Sequence, residues 1–139
     1  MYKTLKFIIK PFFMRIYNVK IEGIYNIPSS GGVILAGNHK GNTDALLMLA
    51  GPKRVVHMMA KKELFNSKIK NAFFRSMGCI KVDRSIHDEN AKSEALELLK
   101  HGYAIGLFPE GTRNKTEAKL LPFKFGAVSM ASKTDSSIS

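Results

Sequence analysis

Short apolar runs alternate with longer amphipathic runs along the chain, and this alternation predicts strands followed by helices. Apolar runs bounded by glycine, proline or polar residues predict buried strands at 32–36, 54–60, 79–82 and 103–108. Apolar residues at helical spacing predict helices at 45–50, 67–77, 88–100 and 124–131. A weak alternating run also predicts a strand at 20–24. The whole pattern predicts an α/β layered fold, with a largely parallel (mixed) sheet flanked by helices.

Residues 1–17 follow a different pattern, in which aromatic and aliphatic side chains are interleaved with basic ones. No apolar run reaches the roughly 18 residues that a membrane-spanning helix needs. Lys10 and Arg15 interrupt the run and no small-residue cleavage site follows, which argues against a signal peptide. We predict that residues 1–20 form a basic amphipathic segment at a membrane interface; an ordinary core helix or strand is the alternative. Pro11 should break or kink any helix here.

The chain is strongly basic, and this narrows its partners. Its 139 residues include 22 Lys and Arg against 11 Asp and Glu, a net charge of +11. Such a balance favours nucleic acid, anionic lipid or phosphorylated substrates. No aromatic-studded strand or basic recognition helix is present, so we expect no nucleic acid partner. The single cysteine, Cys79, allows no internal disulfide, and no cluster has metal-ligand spacing, so no metal is predicted.

A histidine and an aspartate, His39 and Asp44, lie between a predicted strand and a predicted helix. This is where α/β proteins tend to place their sites. On one continuous helix, five positions would turn the two side chains to different faces, so His39 must precede the helix if they are to meet. Thr43 would be the N-cap and Asp44 would lie in the first turn, accepting a hydrogen bond from one imidazole nitrogen. The other nitrogen is then free to act as a base, whereas the alternative is a capping loop with an incidental histidine.

A second stretch, Phe108 to Arg113, makes the interpretation of His39 and Asp44 more specific. Together they resemble the glycerolipid acyltransferase family, whose first motif is NHxxxxD and whose third is FPEGTR. The resemblance covers residues 31–127 and is nearest to bacterial 1-acyl-glycerol-3-phosphate acyltransferases. It implies transfer of an acyl group to the free hydroxyl of 1-acyl-glycerol 3-phosphate (lysophosphatidic acid), giving phosphatidic acid. The donor would be an acyl thioester, from acyl-CoA or acyl carrier protein, used as a co-substrate without any cofactor.

In this resemblance His39 is the general base and Asp44 its partner. No G-x-S-x-G elbow is present and no serine is placed beside His39 in the sequence, since Gly41 stands where many relatives carry serine. Direct transfer is therefore favoured over an acyl-enzyme.

Several residues are candidates for binding the acceptor phosphate. Gly111 and Thr112 offer backbone N–H groups and a hydroxyl to an anion, and Arg113 adds a planar guanidinium. Glu110 would repel a phosphate, so we expect it to orient Arg113 or to accept a substrate hydroxyl. Taken alone, this stretch would be a surface turn. Two further candidates come from other strand ends: Arg84, which closes the family's second motif, and Lys61.

The resemblance also sets expectations for the rest of the chain. Residues 21–139 would be the acyltransferase domain. The family continues into a further strand with a fourth motif where this sequence stops at Ser139, so the domain would either be incomplete at its C-terminus or close its sheet differently. We expect the protein at the cytoplasmic face of the membrane, as a peripheral or monotopic protein with the phospholipid bilayer as partner. The alternatives are another lysophospholipid or glycerol 3-phosphate as acceptor, or a non-enzymatic basic membrane-binding module.

Overall fold

The computed structural model describes residues 2–139, apart from the side chains of Lys3, Leu5 and Ile9. The α-helices in this part of the chain are α1 (Tyr2–Ile16), α2 (Thr43–Ala50), α3 (Lys68–Ser76), α4 (Glu89–Lys100) and α5 (Gly126–Thr134). The strands are β1 (Val33–Ala36), β2 (Val56–Lys61), β3 (Ile80–Val82), β4 (Ala104–Leu107) and β5 (Ser137–Ile138). Short 3-10 helices span Ile24–Asn26 and Lys62–Phe65.

The five strands form one sheet in the order β3-β2-β4-β1-β5, and every neighbouring pair is parallel. The predicted α/β class is confirmed. The central neighbours β1 and β4 are far apart in the sequence but align Val33 with Ala104 and Ala36 with Leu107. From β1 the chain crosses toward β2, and from β4 it crosses the other way toward β5. The loops after β1 and β4 therefore diverge from a topological switch point, where open α/β sheets bind ligands.

Helices cover both faces of the sheet, so that the molecule has two small cores. Ile34, Ile105 and Leu107 pack against the apolar sides of α4 and α5. The alternate residues Val33 and Leu35 point to the other face, where α2 and α3 pack. This alternation follows from the two-residue period of a strand, and it explains why these strands are apolar on both sides.

A glycine allows α2 to lie close to the sheet. A Cβ on Gly106 of β4 would come within 2.8 Å of the Met48 sulfur and 2.9 Å of Val56 Cγ1. Both distances are short enough that a neighbouring side chain would have to shift, so glycine allows the close packing seen here.

Helix α1 continues through Pro11, so the proline does not break it, and the alternative of a kink stays a prediction. The helix is held to the rest of the protein on both sides of the proline. The Tyr2 hydroxyl donates a hydrogen bond to Leu49 O at 3.1 Å, and Lys10 Nζ donates to Gly51 O at 3.3 Å. Phe13 is buried beyond the proline. These contacts offset the hydrogen bond that a proline removes from a helix.

The other side of α1 is apolar and exposed. Phe7, Ile8, Phe12 and Ile16 are each at least 60% exposed. Across residues 2–139, every helix falls short of the length and apolar character needed to cross a membrane.

Two segments differ from the sequence prediction. Residues 20–24 do not form a strand, because Gly23 takes a left-handed conformation with φ of 67° and leads into a 3-10 turn. The serine-rich end forms β5, and directly after it the Ser139 N–H donates to Ile34 O at 2.9 Å. It lies where the resemblance implied a further strand.

Candidate active site

His39 and Asp44 meet at the carboxyl end of β1, in the geometry that the sequence predicts for the pair. His39 lies in the loop between β1 and α2, and its Nδ1 is 3.2 Å from Oδ2 of Asp44, in the first turn of α2. The predicted cap is wrong: Thr43 is the first helical residue, and Asn42 precedes it without a side-chain capping bond. Asp44 instead accepts hydrogen bonds from the N–H groups of Lys40 and Gly41, each at 2.7 Å. One carboxylate thus shapes the loop and holds the imidazole.

The charge of Asp44 determines which imidazole nitrogen carries the proton. Partial burial acts to raise the pKa of Asp44, but hydrogen bonds from the Gly41 N–H, the His39 ring and the Lys40 N–H outweigh it and hold the pKa below its usual range. Asp44 is therefore a carboxylate at neutral pH and can only accept. A neutral His39 must then carry its proton on Nδ1, which leaves the Nε2 lone pair available.

Phe108 fixes the plane of the imidazole, a role that the sequence did not suggest. Its ring stacks on His39 with centroids 4.1 Å apart and an angle of 12° between the planes. Phe108 is the first residue of the FPEGTR stretch, and the pairing of β1 with β4 brings the two motifs together. The stack restricts rotation of His39, which already has one nitrogen paired.

Glu110 holds the backbone of the histidine loop. Its Oε1 accepts a hydrogen bond from the His39 N–H at 2.8 Å, and its Oε2 accepts one from the Leu121 N–H at 2.8 Å. These two backbone hydrogen bonds, His39 first, lower the pKa of Glu110. The expected contact with Arg113 is not formed: no hydrogen bond or ion pair joins the two residues, both of which the structure describes. With a residue exposure of 3%, Glu110 is also closed to a substrate hydroxyl.

Asn114 completes this frame and was not among the predicted residues. Its N–H donates to His39 O at 2.7 Å, and its side chain is buried and bonded to Ala118 O at 2.8 Å and to the Thr116 N–H at 2.9 Å. Both backbone polar groups of His39 are therefore tied to the segment after β4. An asparagine in a turn-rich stretch was the available signal, but its partner could not be read from spacing.

The loop after Glu110 presents Thr112 and Arg113 as exposed residues. Gly111 has a φ of 69°, and its N–H donates to Phe108 O at 2.9 Å. That N–H is already used in the turn, so the expectation that Gly111 offers it to a phosphate is wrong. A Cβ on Gly111 would also come within 2.8 Å of Lys124 Cε.

Arg84 and Lys61 lie at the same edge of the sheet. Lys61 ends β2 and is in register with Val82, the last residue of β3, and Arg84 follows two residues later in the turn after that strand. Arg84 Nη1 donates to Gly111 O at 2.9 Å and so reaches the loop that carries Arg113. The structure thus brings Arg84 to the Gly111 loop, while no hydrogen bond joins Lys61, Thr112 or Arg113 to the His39–Asp44 pair among the described residues.

A family model described as Acyltransferase matches residues 18–139, which include the His39 loop and the segment after β4. The chain belongs to the acyltransferase family. It is 35% identical over 115 residues to 1-acyl-sn-glycerol-3-phosphate acyltransferase of Bacillus subtilis (strain 168), covering 81% of this chain and 56% of that protein. It is also 35% identical over 120 residues to the protein of the same name from Borreliella burgdorferi, covering 85% and 48%.

A solved structure is similar to this acyltransferase-family chain as well. The crystal structure of the 1-acyl-sn-glycerophosphate (LPA) acyltransferase PlsC from Thermotoga maritima matches with a TM-score of 0.73 and 31% identity. The match covers 96% of this chain and 55% of that one. The chain thus spans about half the length of the relatives that it matches.

The remaining reactive side chains of this acyltransferase-family chain are placed away from the His39 loop or are inert. Among the described side chains, no group of three or more His, Cys, Asp or Glu residues is placed to hold a metal ion. Cys79 packs in the core between the sheet and α3, where burial raises the pKa of its thiol to about 11. A buried, protonated thiol is a poor nucleophile, so His39 is the best-placed reactive group.

Proposed function

We propose that the chain carries the catalytic residues of a 1-acylglycerol-3-phosphate acyltransferase. It would transfer an acyl group from acyl-CoA or acyl carrier protein to the free hydroxyl of 1-acyl-glycerol 3-phosphate and release phosphatidic acid. Relatives with this printed name support the proposal. The observation that carries it is the His39–Asp44 pair, whose Nδ1 and Oδ2 are 3.2 Å apart. The pair lies at the carboxyl ends of the central strands, where Glu110 accepts a hydrogen bond from the His39 N–H.

The chemistry follows from the protonation of His39. Nε2 takes the proton of the acceptor hydroxyl while that oxygen forms a bond to the thioester carbonyl carbon. The carbon–sulfur bond then breaks, and the imidazolium returns the proton to the departing thiolate. Asp44 stabilises the transient imidazolium and keeps Nδ1 as the donor. The products are the ester and a free thiol, so neither oxidant nor cofactor is required.

Direct transfer is part of the proposal. Of the described residues, no serine or cysteine forms a hydrogen bond with His39, and Cys79 is buried. Nucleophilic catalysis needs a nucleophile within hydrogen-bond reach of its base. The acceptor alcohol is then the attacking group.

We assign recognition of the acceptor phosphate to exposed groups at the same edge, namely Arg113, Thr112, Lys61 and the unbonded N–H groups of Arg84. Arginine binds phosphate with two parallel hydrogen bonds, which fixes the orientation of the substrate as well as its position. Glu110 holds the histidine loop and does not take part in this recognition.

We also propose that the partner surface is the phospholipid bilayer. The exposed apolar side of α1 and the net charge of +11 support attachment to an anionic lipid surface. Acyl-CoA and acyl carrier protein reach a membrane from the cytoplasm, so the cytoplasmic face is the location that fits this donor. The attachment would be peripheral or monotopic.

The test is an acyl-transfer assay with labelled acyl-CoA or acyl carrier protein and 1-acyl-glycerol 3-phosphate. His39→Ala should lower the rate by at least about 100-fold, the usual contribution of a general base. Asp44→Asn should lose most of the rate as well, because an amide can hold the wrong tautomer. His87→Ala is the matched control, since His87 is exposed and paired with Glu89 outside the site.

Two results would contradict the proposal. One is a His39→Ala variant that keeps its fold by circular dichroism and stays within about tenfold of the parent rate. The other is a parent that transfers acyl groups only to an acceptor without phosphate, or to glycerol 3-phosphate or another lysophospholipid in preference to 1-acyl-glycerol 3-phosphate.

A further inference from the structure

A cavity lies at the edge of the sheet opposite His39. Its volume is about 1030 Å³, and it lies between α1 and the loops that precede the strands. Ser29 lies in the loop leading to β1, Arg54 and Val55 precede β2, and Tyr103 precedes β4. Because the strands are parallel, their amino ends share one edge, whereas His39 and Glu110 follow the carboxyl ends. The cavity is therefore separate from the candidate active site.

The walls of this cavity combine cations with apolar surface. The cations are Lys6, Lys10, Lys53 and Arg54, and none of the described lining residues is acidic. The apolar lining includes Phe7, Pro11, Met14 and Val55. A ligand that fits both kinds of wall has an anionic group joined to a hydrocarbon chain.

Three of the four cations at this site, Lys6, Lys10 and Arg54, are held in place by backbone carbonyl groups. Lys6 Nζ donates to Arg54 O at 3.1 Å and also to Pro52 O, and Lys10 Nζ donates to Gly51 O at 3.3 Å. Arg54 is bonded to Pro28 O and Gly31 O, each at 2.8 Å. An ammonium has three donors, so Lys6 keeps one and Lys10 keeps two for a ligand. Lys53 is exposed and forms no hydrogen bond with the described residues.

The two lysines of α1 are also close enough to repel each other. Burial first, and then the charge of Lys10, lower the pKa of Lys6 to about 8. Two ammonium groups that repel each other, with no carboxylate among the described lining residues, favour the binding of an anion that is shared between them.

We propose that this cavity binds one anionic phospholipid of the bilayer. Its phosphate lies among Lys6, Lys10 and Lys53, and its acyl chains run along Phe7, Pro11 and Met14. Phe7 both lines the cavity and is 83% exposed on the apolar side of α1, so the chains continue onto the surface that faces the membrane. This lipid lies at the edge of the sheet opposite His39, so it does not occupy the position of the acceptor in the proposed reaction. The site thus binds one lipid through specific contacts, in addition to the general attraction of a basic protein to an anionic surface.

Isothermal titration calorimetry with dihexanoyl phosphatidylglycerol, below its micelle concentration, tests the site on the full chain. We expect one lipid per chain, with dihexanoyl phosphatidylcholine and glycerol 3-phosphate binding at least about tenfold more weakly, since each lacks either the net charge or the hydrocarbon. Lys10→Gln with Lys53→Gln should weaken binding by at least about tenfold, because charge-assisted hydrogen bonds are lost. Lys133→Gln, an exposed lysine on α5, is the matched control. Thermal melting of each variant checks the fold.

Several results would overturn the inference. Unchanged affinity in a folded Lys10→Gln, Lys53→Gln variant would exclude this cavity. Equal binding of glycerol 3-phosphate would show a site for free phosphate esters, and loss of binding in Arg113→Gln would place the lipid at the candidate active site. His39→Ala should bind the lipid as the parent does, even if the proposed reaction proves wrong, so that the two proposals fail separately.

Discussion

At the scale of single residues, His39 is held by two carboxylates that act on different parts of it. Asp44 bonds to the imidazole and Glu110 bonds to the backbone N–H. The sequence could predict the first contact, because five residues and a strand-to-helix junction leave few geometries. It could not predict the second, because Glu110 reaches His39 only when β1 pairs with β4 across 71 positions. For the same reason the sequence linked Glu110 to its chain neighbour Arg113.

The residue whose role most needs a direct test is Arg113, which is exposed and has no protein partner among the described residues. Arg113→Gln should raise the acceptor KM by about 10- to 100-fold, the usual strength of hydrogen bonds to a charged group, and should change kcat less. The reason is that an arginine–phosphate pair forms in the ground state and persists in the transition state. Arg113→Lys should recover only part of the loss, because it lacks the planar guanidinium.

The measurement is a thermodynamic cycle that compares the parent and Arg113→Gln, each with a phosphorylated and an unphosphorylated acceptor. Removal of Arg113 should matter only for the phosphorylated acceptor. Lys115→Gln is the matched control, as an exposed cation in the same segment. Additive losses across the cycle would show that Arg113 does not contact the phosphate.

At the scale of elements, the hydrophobic pattern of a segment predicted those helices and strands that depend mainly on their own residues. The apolar runs became β1 to β4, and α4 begins after Asp88 and buries Ala91, Ala95 and Leu99. The exceptions depend on tertiary contacts. Pro11 is tolerated because α1 is docked on both sides of it, and β5 forms from a polar end because β1 offers a free edge. Neither contact has a signature in the segment itself.

Packing between α2 and the sheet predicts a specific loss of stability at Gly106. Gly106→Ala should lower the free energy of unfolding by about 1–3 kcal/mol, the typical cost of overpacking. The added Cβ would meet Met48, Met58 and Val56. Gly126→Ala is the control, because nothing lies within 4 Å of a Cβ there. Urea unfolding followed by circular dichroism measures both; equal effects would mean that Met48 of α2 and the β2 side chains do not pack this closely around Gly106.

The exposed side of α1 predicts where the protein meets a membrane. Ile8→Asp with Phe12→Asp should weaken binding to anionic vesicles by at least about tenfold for each residue, since burying such a side chain contributes about 1.5–3 kcal/mol. Both residues are at least 63% exposed, so the fold should persist. Vesicle binding of the parent should also weaken as salt rises.

Ile69→Asp is the matched control for this experiment, because Ile69 is 84% exposed on α3. Co-sedimentation of each variant with vesicles gives the comparison. Equal weakening by the Ile69 substitution would place the membrane contact on a wider surface than α1.

At the scale of the whole molecule, strand order decides which residues form the site. The order β3-β2-β4-β1-β5 collects the ends of four strands, and with them His39, Lys61, Arg84 and Glu110, at one edge. The sequence predicted that these residues follow strands, but not which strands are neighbours. The same topology places the basic cavity under α1 at the opposite edge. One small sheet thus separates the proposed chemistry from the proposed lipid site.

The carboxylates of the molecule predict a loss of stability in acid. The fold lowers the pKa of Asp44 and Glu110, and the hydrogen bond from Lys62, followed by those from Ser85, lowers that of Asp83 to about 2. A carboxyl with a lower pKa in the folded state binds fewer protons there than in the unfolded chain. Its stabilisation is therefore complete above the unfolded values of 3.8 for Asp and 4.5 for Glu, and it is lost as the pH falls through the folded pKa.

We therefore expect the free energy of unfolding in urea to hold between pH 7 and 5 and to fall progressively toward pH 2. Glu110→Gln should be less stable than the parent at pH 7, because its amide N–H₂ would face a backbone N–H of His39 or Leu121. The gap should narrow below the usual pKa range of glutamate, where the parent also becomes protonated. Glu117→Gln, an exposed carboxylate in the same segment, is the matched control. A gap between Glu110→Gln and the parent that stays constant from pH 7 to pH 3 would show that the charge of Glu110 does not hold the histidine loop.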